Sequence, residues 1–98
     1  LEALVRGIVE AVSPRRIILF GSAAAGKMTA ESDLDVLVVM PDGTHRRETA
    51  RRLYGAIRGL GVPCDLIVAT ESDLTKHRDN IGLVYGTILR EGRTLYGA

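Results

Sequence analysis

The sequence predicts an α/β fold: a single domain over residues 1–98, with a small mixed β-sheet packed with helices. Three observations predict it. Short, mostly apolar runs at Arg16–Phe20, Asp33–Met40 and Val62–Ala69 have the pattern of strands buried on both faces. Segments between and around them repeat their apolar residues at helical spacing. Ninety-eight residues bound the chain to one core, with little room for a second lobe.

In order, apolar residues at 1, 4, 5, 8, 9 and 12 form the stripe of an amphipathic helix, which Ser13-Pro14 ends because Pro disfavours helix in the residue before it. Arg16–Phe20 is the first strand. Gly21–Glu31 is rich in small residues and has room for a turn plus one helical turn starting near Ser22. Asp33–Met40 is the second strand, apolar on both faces beyond Asp35, which places it centrally in a sheet covered on both sides. Pro41-Asp42-Gly43 signals a turn. Thr44 is then placed to cap a helix running to about Gly59, with Ala50, Leu53, Tyr54, Ile57 and Leu60 on its buried face and Arg46, Arg47, Arg51, Arg52 and Arg58 on the other. Val62–Ala69 is the third strand. Thr70 with Asp73 resembles a capping box for a short helix. Ile81, Val84, Tyr85, Ile88 and Leu89 define a last helix closed by Gly92, and Thr94-Leu95-Tyr96 adds a small edge strand.

Thirteen basic and 12 acidic residues give a formal net charge of +1, a balance that points away from a dedicated nucleic-acid or membrane-surface binder. No apolar run reaches the ~18–20 residues that span a bilayer, and no leader pattern is evident, so a cytoplasmic location is expected. Cys64 is the only cysteine, which excludes a disulfide framework and a multi-cysteine zinc site.

The chemistry concentrates in the stretch from Ile17 to Val39. Asp33 and Asp35 are two apart on a strand, so both carboxylates leave the sheet on one side. Like charges that close repel unless a cation sits between them, and hard Mg²⁺ with its preference for oxygen is the natural partner. Asp65 opens an otherwise apolar strand. If that strand neighbours the second, the three carboxylates Asp33, Asp35 and Asp65 make a two-metal phosphoryl-transfer site. Gly21 lets the backbone approach a ligand closely, backbone N–H groups at a helix start favour phosphate, and the Ser22 hydroxyl adds a hydrogen bond. Gly21-x-x-x-x-Gly26-Lys27 looks like a P-loop, but Met28 stands where the Mg²⁺-binding Ser or Thr belongs.

Gly21-Ser22, ten residues, and Asp33-x-Asp35, preceded by the strand Ile17–Phe20 and followed by Asp65, resembles the signature of the nucleotidyltransferase superfamily. More narrowly, the chain is similar to minimal nucleotidyltransferases, the MNT-type proteins of HEPN/MNT toxin–antitoxin pairs. The resemblance covers essentially the whole chain and implies a nucleotidyltransferase-like fold. It further implies that Asp33 and Asp35 bind two Mg²⁺ ions, that Asp65 holds one of them and helps deprotonate the acceptor, and that Gly21 and Ser22 grip the triphosphate of ATP or another NTP. The reaction would transfer a nucleoside monophosphate to a hydroxyl. The implied acceptor is a HEPN-domain partner, adenylylated on a tyrosine. The family pattern often has Arg before the second Gly. Here Ala25 takes that place and Lys27 follows Gly26, so either Lys27 supplies the cationic role or the phosphate grip is weaker.

The alternative is a binding module that inhibits its partner by occlusion, with nucleotide binding vestigial or regulatory. Transfer to tRNA or an antibiotic would need an added substrate lobe. The Arg face of the 44–59 helix reads as solvated, and nucleic acid is not expected as a direct ligand. His45 and His77 lack metal-ligand spacing and read as surface residues. Cys64 beside Asp65 reads as packing rather than nucleophile, and Tyr54 and Tyr85 as core or interface.

Overall fold

The computed structural model describes residues 2–21, 34–61, 64–76 and 88–97. They form one four-stranded sheet in the order β3-β2-β1-β4, from β1 (Arg16–Phe20), β2 (Leu34–Met40), β3 (Cys64–Thr70) and β4 (Arg93–Tyr96). β1 pairs antiparallel with β2 and with β4, and β2 pairs parallel with β3. The sheet is therefore mixed, and the parallel step is the one bridged by a helix, since parallel neighbours need a crossover. The inner strand β2 has the expected place: Val36, Leu37, Val38 and Val39 are all 0% exposed.

Strand alternation divides the core in two. Ile17, Leu19, Leu34, Val36, Val38 and Met40 face α1 (Glu2–Val12) and α2 (Arg46–Ile57), meeting Leu4, Ile8, Leu53 and Ile57. Ile18, Leu37, Val39 and Ala69 face the other way and meet Leu74 of α3 (Glu71–Lys76) and Ile88 of the helical turn at 88–91. α1 ends as expected at Ser13-Pro14. Ser13 turns left-handed (φ 49°) and its N–H donates to the Val9 carbonyl at 3.0 Å, the usual way a helix closes its last carbonyls. Gly92 likewise closes the 88–91 turn, its N–H donating to Ile88 O at 2.7 Å. A Cβ at Gly92 would press on that carbonyl and lie 2.6 Å from Ile18 Cγ2, so only glycine lets this turn sit so tightly on β1.

The capping box before α3 forms in both directions. Asp73 Oδ2 accepts from Thr70 N–H at 3.0 Å and Thr70 Oγ1 accepts from Asp73 N–H at 3.2 Å. Arg46 Nη1 adds an ion pair to Asp73 Oδ2 at 3.0 Å. Burial works to raise the Asp73 pKa, but the Thr70 hydrogen bonds and the Arg46 charge outweigh it and hold the carboxyl below its ordinary value.

α2 differs from expectation at both ends. His45, not Thr44, is its N-cap: the His45 ring Nδ1 accepts from Glu48 N–H at 3.3 Å, while Thr44 Oγ1 donates back to Pro41 O at 2.7 Å. The Pro41 turn claims the threonine hydroxyl, so the cap falls one residue later. The buried face is Thr49, Leu53 and Ile57. Tyr54 and Leu60, expected inside, are 43% and 38% exposed. The helix tightens to a 3-10 turn at Arg58–Leu60 before Gly61 turns left-handed (φ 66°), and that change of pitch carries Leu60 out of register with the stripe. His77, Tyr85 and residues 22–33 lie outside the described residues.

Candidate active site

β1 ends at Phe20, which pairs with Asp35. On the other side of β2, Asp35 pairs in parallel register with Asp65. Strand alternation puts Asp35 on the same face as Leu37 and Val39, and Asp65 on the same face as Ile67 and Ala69. Both carboxylates therefore leave the sheet on the face covered by α3 and the 88–91 turn, at the end where β2 and β3 begin. Neighbouring strands lie about 4.8 Å apart, so the two acids are side by side. The register itself places Asp65 beside the Asp-x-Asp strand, as the sequence suggested. Asp35 is half-buried and Asp65 exposed.

Gly21 has a role beyond the one its sequence position implied. With φ +77° it occupies backbone space that L side chains rarely adopt, and a Cβ there would lie 2.5 Å from Asp35 Oδ2. The Asp35 carboxylate thus occupies the space a side chain at 21 would fill. The signal was present in the sequence, a glycine directly after a strand, but it pointed to room for a ligand rather than to room for the protein's own acid. Phe20, opposite Asp35 and packed against the second core, carried no sequence signal that set it apart from the rest of its strand.

Ser22, Lys27 and Asp33 lie outside the described residues, as does Ala25. Among the described residues no three of His, Cys, Asp and Glu converge as a metal site; Asp35 and Asp65 are a pair. Their chemistry fits a hard divalent cation: the donors are carboxylate oxygens alone, on one face, with an open side toward solvent. Cys64, the nearest soft donor in sequence, packs instead against the α1–α2 core on the opposite face, as a packing residue should. His45 is exposed and caps α2. Two clefts lined by described residues, one of about 410 Å³ at Asp42, Glu71, Ser72 and Thr75 and one of about 520 Å³ at Thr44–Arg47, flank the turns that follow β2 and β3, away from the carboxylates. No described helix is long and apolar enough to cross a membrane.

Solved structures share this architecture. A toxin–antitoxin crystal structure with AMP-PNP superposes with a TM-score of 0.68 at 22% identity, over 99% of this chain and 73% of that one. The toxin–antitoxin MntA-HpeT, in a form with two Asp-to-Glu substitutions, gives 0.66 at 19% identity, over 99% and 72%. A complex of tri-AMPylated Shewanella oneidensis HEPN toxin with MNT antitoxin gives 0.52 at 22%, over 97% and 65%. At such identities the likeness establishes the fold. No curated protein matches the chain in sequence. The family model described as "Nucleotidyltransferase domain" does match, over residues 1–91, spanning both carboxylates and the turn before them, and the chain belongs to that family.

Proposed function

We propose that this chain is a Mg²⁺-dependent nucleotidyltransferase that moves AMP from ATP to a hydroxyl, a tyrosine side chain, of a HEPN-domain partner protein, and so acts as the antitoxin of a toxin–antitoxin pair. The observation that carries the reading is the in-register pair of Asp35 and Asp65 on one face, beside a glycine whose missing side chain makes room for an acid. Support for the nucleotide and the partner comes from the solved complexes of like fold, one with AMP-PNP and one whose HEPN toxin is tri-AMPylated.

Asp33, Asp35 and Asp65 would hold the two Mg²⁺ ions, and Gly21, Ser22 and Lys27 would hold the triphosphate. Bound there, the metal would supply charge neutralisation to the phosphates. The remaining chemistry belongs to side chains. Asp65, the more exposed acid, accepts the proton of the acceptor hydroxyl. The freed oxygen forms a bond to the α-phosphorus as the bond to the β-phosphate oxygen breaks, and pyrophosphate leaves. Asp35, fixed between Phe20 and Asp65 and seated on Gly21, keeps its carboxylate at one position throughout, the preorganisation such a transfer needs.

The test is label transfer from [α-³²P]ATP to a HEPN-domain protein that co-purifies with this chain. Wild type should label it and Asp33→Ala/Asp35→Ala should not. Equal labelling by both, or none by either, sinks the enzymatic reading. An Asp35→Ala variant that still neutralises the partner would favour occlusion instead.

A further inference from the structure

The two acids of the site are held differently. Asp35 lies on the inner strand β2, between Phe20 and Asp65 and over Gly21. Asp65 lies on β3, an edge strand with a strand partner on one side only. It is exposed, and among the described residues no hydrogen bond or ion pair reaches its carboxylate. What fixes that carboxylate is therefore the backbone that carries it.

Along a strand, successive N–H groups turn to opposite edges, and those on the outer edge of a sheet lack a strand partner. On β3 the Leu66 and Thr70 N–H groups turn outward, and each meets a side chain instead. Thr70 N–H donates to Asp73 Oδ2 at 3.0 Å. Leu66 N–H donates to the Tyr54 hydroxyl of α2 at 3.1 Å. The Leu66 amide belongs to the peptide unit that begins at the Asp65 carbonyl, so the orientation of that unit sets the direction in which the Asp65 side chain leaves the strand. The parallel ladder to β2 holds β3 from inside, and the Tyr54 hydroxyl holds this peptide from outside. α2 packs on the face opposite the carboxylates, and the link from Tyr54 to the acid runs through an amide in the plane between the two faces. Tyr54 is 43% exposed, so burial of its ring does not by itself explain its place at that edge.

We propose that Tyr54 is a positioning residue for Asp65: by holding the Leu66 amide, its hydroxyl keeps the edge-strand acid beside Asp35, where the pair meets a divalent cation together. The inference rests on the reading of Asp35 and Asp65 as a cation-holding pair. Water can satisfy an edge amide once the phenol hydroxyl is gone, so the fold tolerates the loss. The acid does not, because water does not fix the peptide in one orientation. Groups that orient metal ligands from behind typically contribute about 10–100-fold to metal affinity or activity.

The experiment compares Tyr54→Phe with Asp73→Ala, which removes the tie at Thr70, the far end of the same strand edge. Circular dichroism checks that both fold. Mn²⁺ alone, a hard cation that carboxylates accept as they do Mg²⁺, is titrated into each protein and the free ion read by electron paramagnetic resonance. Label transfer to the co-purifying HEPN-domain protein is measured in parallel. Tyr54→Phe should bind Mn²⁺ about tenfold more weakly and lower kcat about tenfold, with KM for the acceptor within about twofold of wild type. Asp73→Ala should stay within about twofold of wild type in all three quantities. A wild type that transfers no label while the Mn²⁺ shift appears would overturn the enzymatic reading and leave the role of Tyr54 standing. Equal Mn²⁺ affinity in Tyr54→Phe and wild type, equal losses in Tyr54→Phe and Asp73→Ala, or no Mn²⁺ binding by wild type would each overturn that role. So would an Asp65→Ala variant that binds Mn²⁺ as wild type does.

Discussion

Replacing Gly21 with Ala separates two costs that the structure places in one residue. The first is conformational: φ is +77°, and an L side chain there costs roughly 1–2 kcal/mol. The second is steric, because the new Cβ would sit 2.5 Å from Asp35 Oδ2 where ordinary contact begins at 3.4 Å, so the carboxylate must retreat by the difference. A displacement on the order of 1 Å at a reacting centre typically costs about 10²-fold in rate. Gly43→Ala provides the control. Its φ is +88° but no atom lies within 4 Å of the added Cβ, so it carries the first cost and not the second. Both variants should lose about 1–2 kcal/mol in urea unfolding, or about 4–8 °C of Tm for each kcal/mol. Only Gly21→Ala should lose about 10²-fold in label transfer. Equal transfer by the two variants would refute the idea that Gly21 seats the Asp35 carboxylate.

Three further outcomes follow from named contacts. Asp73→Ala should cost about 1 kcal/mol near neutral pH through loss of the capping box. Because the folded carboxyl lies below its unfolded value of about 3.9, that stabilisation is present above the unfolded pKa and fades as pH falls through the folded one, so wild type and variant unfolding curves should converge in acid. Leu53→Ala removes a side chain that is 0% exposed and should cost about 2–5 kcal/mol with an unchanged m-value in urea. Tyr54→Phe removes the acceptor for Leu66 N–H, and should cost about 0.5–1.5 kcal/mol while speeding hydrogen exchange at that amide.

The strands were legible because burial on two faces leaves unbroken apolar runs: Arg16–Phe20 has the predicted bounds, and β4 is the expected edge strand. The capping box at Thr70 and Asp73 was legible because it is wholly local. So was the acid pair, since a carboxylate opening an apolar strand adds nothing to the packing of that strand and stands out against it. What escaped the sequence depends on partners or pitch. Thr44 could cap α2 only if the Pro41 turn left its hydroxyl free, and it does not. Tyr54 follows the apolar period of α2, yet an edge amide of β3 gives its hydroxyl a better place outside the core. Asp35 resting on Gly21 is a contact between side chain and backbone across two strands, which no spacing along the chain encodes.

The parallel register of β2 with β3 also fixes when the carboxylate pair can arise. Asp35 and Asp65 belong to strands that meet only after α2 has crossed the sheet, so their pairing closes a loop of thirty residues. The β1–β2 antiparallel pair can assemble from nearer parts of the chain. A chain still emerging from the ribosome, with residues up to 61 outside, holds Asp35 without the neighbour that completes the pair. That pair therefore cannot arise before β3 is available to the sheet, and it is lost at once if β3 peels from the sheet's edge.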